Sequence, residues 1–346
     1  MKDSSYQHVC TVLVGISTLF RYICYDMATF IVESLVHSAH LRDPNSIIKH
    51  AGYYGQAVKE ISTCLATFTV PVVLNYLKPK TILLIGSGMF IFYFACFFYI
   101  NNYLYFLANI LLGIAFALIY TAFLTYQMQF STRKTLPRNS ARITAIGNLS
   151  LILGGCLYIY VSKSRPHEAD SISAETDYRY YSEGETRMLC GFLLASCLGN
   201  FVLTGLFPSK EVEDSVSSEN PQVKLALKEQ LGAVGSALVN PYILILIPRF
   251  LSHGLFISFM MNVYPTSLQY STILARNYPM MTAYYAFAMC AGSTLCGILI
   301  APLNRAFHDF GMRPLYYITV VLQLAIYILA GGELGSARAT KPVAKL

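Results

Sequence analysis

Residues 103–126 read YLYFLANILLGIAFALIYTAFLTY, without a single Asp, Glu, Lys or Arg. Wound as an α-helix at 1.5 Å per residue, the stretch is ~36 Å long and covers a hydrocarbon core of ~30 Å. Outward from it, apolar stretches of similar length lie near 9–31, 53–77, 81–100, 143–162, 188–207, 242–264, 279–303 and 314–332. With 103–126 they predict nine transmembrane helices. Composition agrees. Apolar residues make up 55% and charged residues 12%, about half the ~25% that covers a soluble surface. The mean hydropathy is +0.49. The reading is therefore an all-α, polytopic membrane protein. Tryptophan is absent, and 26 tyrosines are available to supply the interfacial aromatic rings.

The net charge of +7 is not read as a nucleic-acid signal in a chain this apolar; the lipid bilayer is the expected partner and nucleic acid is not. With the N-terminus in the cytoplasm, that side collects twelve Lys and Arg against seven in the opposite loops, the asymmetry expected of cytoplasmic loops, although Arg338, Lys341 and Lys345 of the tail then fall on the opposite side. The chain is thus predicted to be multi-pass with a cytoplasmic N-terminus, in the plasma membrane or an endomembrane. Met1–His8 is short and polar and no small-residue cleavage site follows, so the first span reads as a retained helix.

Two connections are long. Residues 163–187, with a Tyr-rich patch at 177–182, read as a solvated loop. Residues 208–240 begin acidic and Ser-rich, then place Val223, Leu227, Leu231, Val234 and Leu238 on one helical face beside Lys224 and Lys228. That pattern predicts a helix lying on the cytoplasmic leaflet. The expected organisation is a six-helix half over 1–207, a linker over 208–240, a partial second half over 241–332 and a polar tail over 333–346. An apolar helix, a basic turn and a second apolar helix occur at Lys78-Pro79-Lys80 and again ~230 residues later, as in transporter folds built from two similar halves.

Ionised groups inside spans need a reason to be there, since each costs about 2.5–3.5 kcal/mol at mid-bilayer. Arg21 and Asp26 occupy the first span and Arg249 and His253 the seventh. Arg21 and Asp26 point ~140° apart on one helix, so their partners are expected on other helices. These four are the candidate cavity or inter-helix charge residues. Lys59 and Glu60, early in the second span, read as structural anchors, the lysine snorkelling to the interface. Glu33 is expected to emerge into the first outer loop. No G-x-S-x-G, P-loop, H-E-x-x-H or C-x-x-C motif occurs, so no catalytic, cofactor-binding or metal-binding residue is assigned and no enzymatic activity is expected.

Gly52-Tyr53-Tyr54-Gly55-Gln56-Ala57 opens the second span, and Leu111-Leu112-Gly113-Ile114-Ala115-Phe116-Ala117-Leu118-Ile119-Tyr120-Thr121-Ala122 fills the fourth. Arg138-Asn139-Ser140 precedes the fifth, Ile159-Tyr160 closes it, and Leu244 through Pro248 with His253-Gly254-Leu255 forms the seventh. In order and spacing these residues resemble the uncoordinated-93-like family of the major facilitator superfamily. Phe123-Leu124 stand where that family has Gln-Gly, and its acidic-basic-glycine turn is reduced to Lys78-Pro79-Lys80. The resemblance implies a major facilitator bundle with six N-terminal spans and an incomplete second half, about three helices short of the family pattern. It also implies that the first and seventh spans line a central cavity. By function it implies a non-enzymatic regulator or trafficking partner of a potassium channel or membrane receptor. The residues themselves leave open a secondary transporter of a small ion or organic solute.

Overall fold

No proline interrupts residues 3–42, and in the computed structural model they form one continuous helix, α1 (Asp3–Arg42). The structure describes residues 3–164, 179–210, 212–219, 227–271, 274, 277–307 and 313–339. At ~60 Å, α1 is about twice the length needed to cross a bilayer, and it overruns the expected span at both ends. From Met27 to Ala39 every residue is buried, the signature of a helix enclosed on all sides.

Ala51–Thr67 forms α2 and Val70–Tyr76 forms α3, which meet at a 55° bend. The second span was expected as a single stretch near 53–77. Pro71, in the first turn of α3, has no N–H to offer, so the α2 ladder cannot run through it unbroken. Then follow α4 (Pro79–Ala95), α5 (Asn102–Phe130), α6 (Leu136–Ser164) and α7 (Glu183–Gly205). The Asn101 and Ser182 side chains accept the backbone N–H of Leu104 and Glu185 at 2.9 and 3.2 Å, capping α5 and α7.

Short helices α8 (Val216–Glu219) and α9 (Leu227–Leu238) follow. The α9 range covers the expected interfacial helix except Val223 and Lys224, which lie outside the described residues. The seventh span is α10 (Pro241–Ser258), a π-helical turn (Phe259–Val263) and α11 (Tyr264–Tyr270). The last two helices are α12 (Met281–Ala306) and α13 (Arg313–Ala339).

Helices thus stand at all nine expected places. Among the described residues, seven are long and apolar enough to cross a membrane alone, and α2–α3 is an eighth if the bent pair is one span. The described apolar part of α13, Tyr317–Leu329, is shorter than a full crossing. The helix itself continues to Ala339, past the end of the apolar stretch at 332.

The chain divides into two compact units, Met1–Cys290 and Ala291–Leu346. In the first, α5 packs against α2 and α4, while α1 lies against α6 and α7. Small residues and polar pairs make these contacts close, as expected where lipid removes the hydrophobic drive between helices. A Cβ on Gly113 would stand 2.3 Å from the Lys59 carbonyl oxygen, so α2 and α5 touch backbone to backbone only because that residue is glycine. Ser17 of α1 donates to Asn200 of α7 at 2.8 Å, and Asn200 donates to Ser87 of α4 at 3.0 Å, all three buried. In the second unit, the Ala291–Ala306 part of α12 and α13 are helical, and a Cβ on Gly292 or Gly297 would meet nothing within 4 Å.

The Tyr-rich patch departs from expectation. Asp177 and Tyr178 lie outside the described residues, but Tyr180 and Tyr181 are buried rather than solvated. The Tyr181 phenol donates to Gln269 Oε1 at 3.0 Å and lies 2.9 Å from the Tyr158 hydroxyl. Its backbone N–H donates to Ser38 Oγ at 3.0 Å, and its carbonyl accepts from Arg42. Burial pushes the Tyr181 phenol well above the ordinary tyrosine range. Beside it Arg179 pairs with buried Glu185. Burial alone would favour a neutral guanidinium, but Tyr158, Glu185 and Tyr181 outweigh it and hold Arg179 above its ordinary value.

Candidate functional site

Midway along α1, Tyr22, Tyr25 and Asp26 face a cavity of ≈ 720 Å³. Lys59, Glu60 and Thr63 of α2 and Phe116 and Tyr120 of α5 form further wall, and Met260, Met261 and Asn262 of the π turn close the opposite side. The volume falls within the roughly 300–1,000 Å³ of small-molecule sites. The π turn frees carbonyls from the helical ladder, and Tyr285 of α12 donates its hydroxyl to one of them, Met260 O, at 2.5 Å.

Lys59 is the most enclosed charge in this wall. Its side chain is 2% exposed and lies 2.8 Å from Glu60 Oε1, and its Nζ donates to the Tyr25 hydroxyl at 2.8 Å. The ammonium also stands 5.1 Å from the Tyr25 ring centre and 5.4 Å from that of Phe116, a cation–π cradle. It turns inward instead of snorkelling, because Gly113 lets α5 approach closely enough to present Phe116. Glu60, 66% exposed, opens into the cavity and pairs with its own neighbour in sequence rather than with another helix.

The four residues singled out by charge lie in different places. Asp26 faces the cavity and accepts a hydrogen bond from Ser150 of α6 at 3.2 Å. Arg21 lies a turn away, its guanidinium 5.4 Å from both the Tyr22 and Phe123 rings, in a small recess under Tyr120. Phe123, one of the two departures from the family's fourth span, is thus the ring against Arg21. Arg249 is half-buried and His253 exposed on α10, and neither is among the cavity-lining residues. The part of the seventh span that reaches the cavity is Gly254 to Asn262, immediately beyond them.

Sequence reasoning missed a second cluster, at the far end of α1. Glu33 is buried, not in a loop. Its carboxylate lies 3.0 Å from His50 Nδ1 and accepts the Tyr53 backbone N–H at 3.0 Å. His37, one turn on, stacks on His50 with ring centres 5.4 Å apart and planes 6° from parallel. The Glu33–His37 spacing of four was a visible signal. His50 could not be added to it without knowing how the turn into α2 folds back.

These features define a polytopic α-helical membrane protein whose membrane-embedded charges are held by aromatic rings and partners on neighbouring helices. The sequence model of a family described as ion channel regulatory protein UNC-93 matches residues 43–339, and the chain belongs to that family. A search of curated proteins finds no match. The family description makes this a membrane protein of a regulatory family. Lys59, Glu60, Arg249 and His253 lie inside the matched residues, and Arg21, Asp26, Glu33 and His37 before them.

Proposed function

We propose that the chain acts without catalysing a covalent reaction, as a regulator or escort of a partner membrane protein, a potassium channel or a membrane receptor. The family match over residues 43–339 carries this reading. The cavity supports it: its buried cation, Lys59, is already neutralised by Glu60 and cradled by Tyr25, and Asp26 is engaged by Ser150. A wall whose charges satisfy each other suits a fixed scaffold better than a site that must bind and release an ion. The same proposal takes the bundle as major facilitator-like, with residues 1–207 and 241–332 as its halves and the N-terminus cytoplasmic.

A second reading, a secondary transporter of a small ion or organic solute, draws on the cavity's ≈ 720 Å³ and its mixed aromatic, methionine and charged wall. Two measurements separate the readings. Co-expression with a potassium channel should change current amplitude or surface density, and proteoliposomes holding only this chain should carry no K⁺ or organic-anion flux. Flux abolished by Asp26→Asn or Lys59→Met, in protein that still elutes as a folded species, would establish transport instead.

A further inference from the structure

We propose that Glu33, His37 and His50 form a binding site for a divalent transition metal, with Zn²⁺ the best-suited ion. One ligand atom from each residue lies within 4.8 Å of the other two. Two imidazoles and one carboxylate form a donor set that suits zinc and its neighbours, and it disfavours Mg²⁺ and Ca²⁺, which require oxygen. Tetrahedral zinc at 2.0–2.1 Å sets its ligand atoms about 3.3 Å apart. The Glu33–His50 contact, at 3.0 Å, is already that close. The wider separations would close by a shift of the His50 side chain, which is 48% exposed, whereas Glu33 is 3% exposed on α1. Three protein ligands leave a fourth position for water or for a group on a partner.

The surrounding backbone is built for this convergence. His50 has φ 60°, the left-handed region that a residue with a Cβ seldom adopts, and it is the only non-glycine residue with positive φ among the described residues. It sits at the N-cap of α2, yet its side chain makes no capping bond and points its Nδ1 at Glu33. Backbone strain that is not used for capping, beside two buried potential ligands, is the pattern of a functional site. Two residues on, a Cβ at Gly52 would lie 2.4 Å from Glu33 Oε2 and 2.5 Å from its Cα, so only glycine lets this turn reach the carboxylate. The Tyr53 N–H fixes the orientation of the Glu33 carboxylate, the outer-shell support that metal-binding carboxylates have. His40, stacked at 6.2 Å from His37, falls outside the group of ligand atoms that converge within 4.8 Å, and its Nδ1 is engaged by the Ile47 carbonyl at 2.7 Å. Bound metal would fasten the far end of α1 to the start of α2.

The test is Zn²⁺ titration of the full chain in detergent by calorimetry, followed by Co²⁺ substitution. The expected result is one equivalent bound, at least a tenfold loss of affinity in His50→Gln and in His37→Gln, and no loss in His40→Gln. Co²⁺ should give a visible d–d spectrum without a thiolate charge-transfer band. His50→Gln, altered at a half-exposed ring, serves where His37→Gln does not fold. Absence of stoichiometric Zn²⁺ binding, wild-type affinity in His50→Gln, or a thiolate band pointing to the nine free cysteines would each overturn the assignment.

Discussion

The seventh span is as apolar in sequence as several of the first six, at a mean hydropathy of 1.8 against 1.3 to 2.2, but is held in a different way. In α1 through α7, polar groups meet across helices, Ser17 with Asn200, Asn200 with Ser87, Asp26 with Ser150 and Lys59 with Tyr25, and Arg179, just before α7, pairs with Glu185 on it. Along α10 no residue is buried. The seventh span is fastened beyond its π turn, where Pro265, Thr266 and Gln269 are buried and Gln269 donates to the Phe30 carbonyl at 2.8 Å. Hydropathy therefore fixes where a helix crosses and says little about what holds it. In a bilayer the holding falls to small residues and polar pairs.

The largest expected effect tests that contrast at its strongest point. Arg179→Met would strip buried Glu185 of its guanidinium, and removal of one partner from a buried ion pair costs about 3–5 kcal/mol. Thermal unfolding in detergent should show the loss, and adding Glu185→Gln should recover part of it. If the single and double variants are equally unstable, packing of the Arg179 stem against Tyr181, not charge, secures this end. Next comes a matched glycine pair. Gly113→Ala drives a methyl into the Lys59 carbonyl and should cost about 1–3 kcal/mol. Gly254→Ala meets nothing within 4 Å and should gain up to about 1 kcal/mol of helix propensity. Changes of the same sign would erase the distinction between the two regions.

The same contrast explains what could be read in the sequence. The helical class and the places of all nine helices followed from apolar length. The bend before Pro71 was signalled by that proline but hidden within an unbroken apolar run. Lys59 was misread because snorkelling is the default for a lysine near a span end. Its inward turn depends on Phe116, which contacts it only through a helix packing that no local pattern specifies. Tyr181 was misread for a related reason: a polar, tyrosine-rich segment looks solvated until Gln269, 88 residues away, supplies the buried acceptor. The Glu33, His37 and His50 cluster depends on one left-handed residue, a conformation that histidine itself does not announce.

An intermediate effect is expected where the seventh span is anchored. Gln269→Leu removes the donor to the Phe30 carbonyl and the acceptor for the Tyr181 hydroxyl. Tyr181 keeps Tyr158 at 2.9 Å and Phe30 keeps its place in the α1 ladder, so the cost is that of two net hydrogen bonds, about 0.5–1.5 kcal/mol each. The loss should appear less in global melting than as faster modification of a cysteine placed at Thr266, which is buried in the native protein. An unchanged labelling rate would mean that α11 is held by apolar contacts alone.

The smallest effect on stability should come from His253. Its ring is exposed on a helix with no buried residue, so His253→Ala should shift unfolding by no more than about 0.5 kcal/mol, the range of substitutions that disturb no packing or pairing. If α10 is where a partner membrane protein rests, the same variant should weaken that association in co-purification while the chain alone stays folded. An imidazole placed among apolar side chains is worth more against a partner's polar group than against lipid. A loss of stability above about 1 kcal/mol without a change in association would place His253 within the chain's own packing and extend the polar fastening of the first six spans to the seventh.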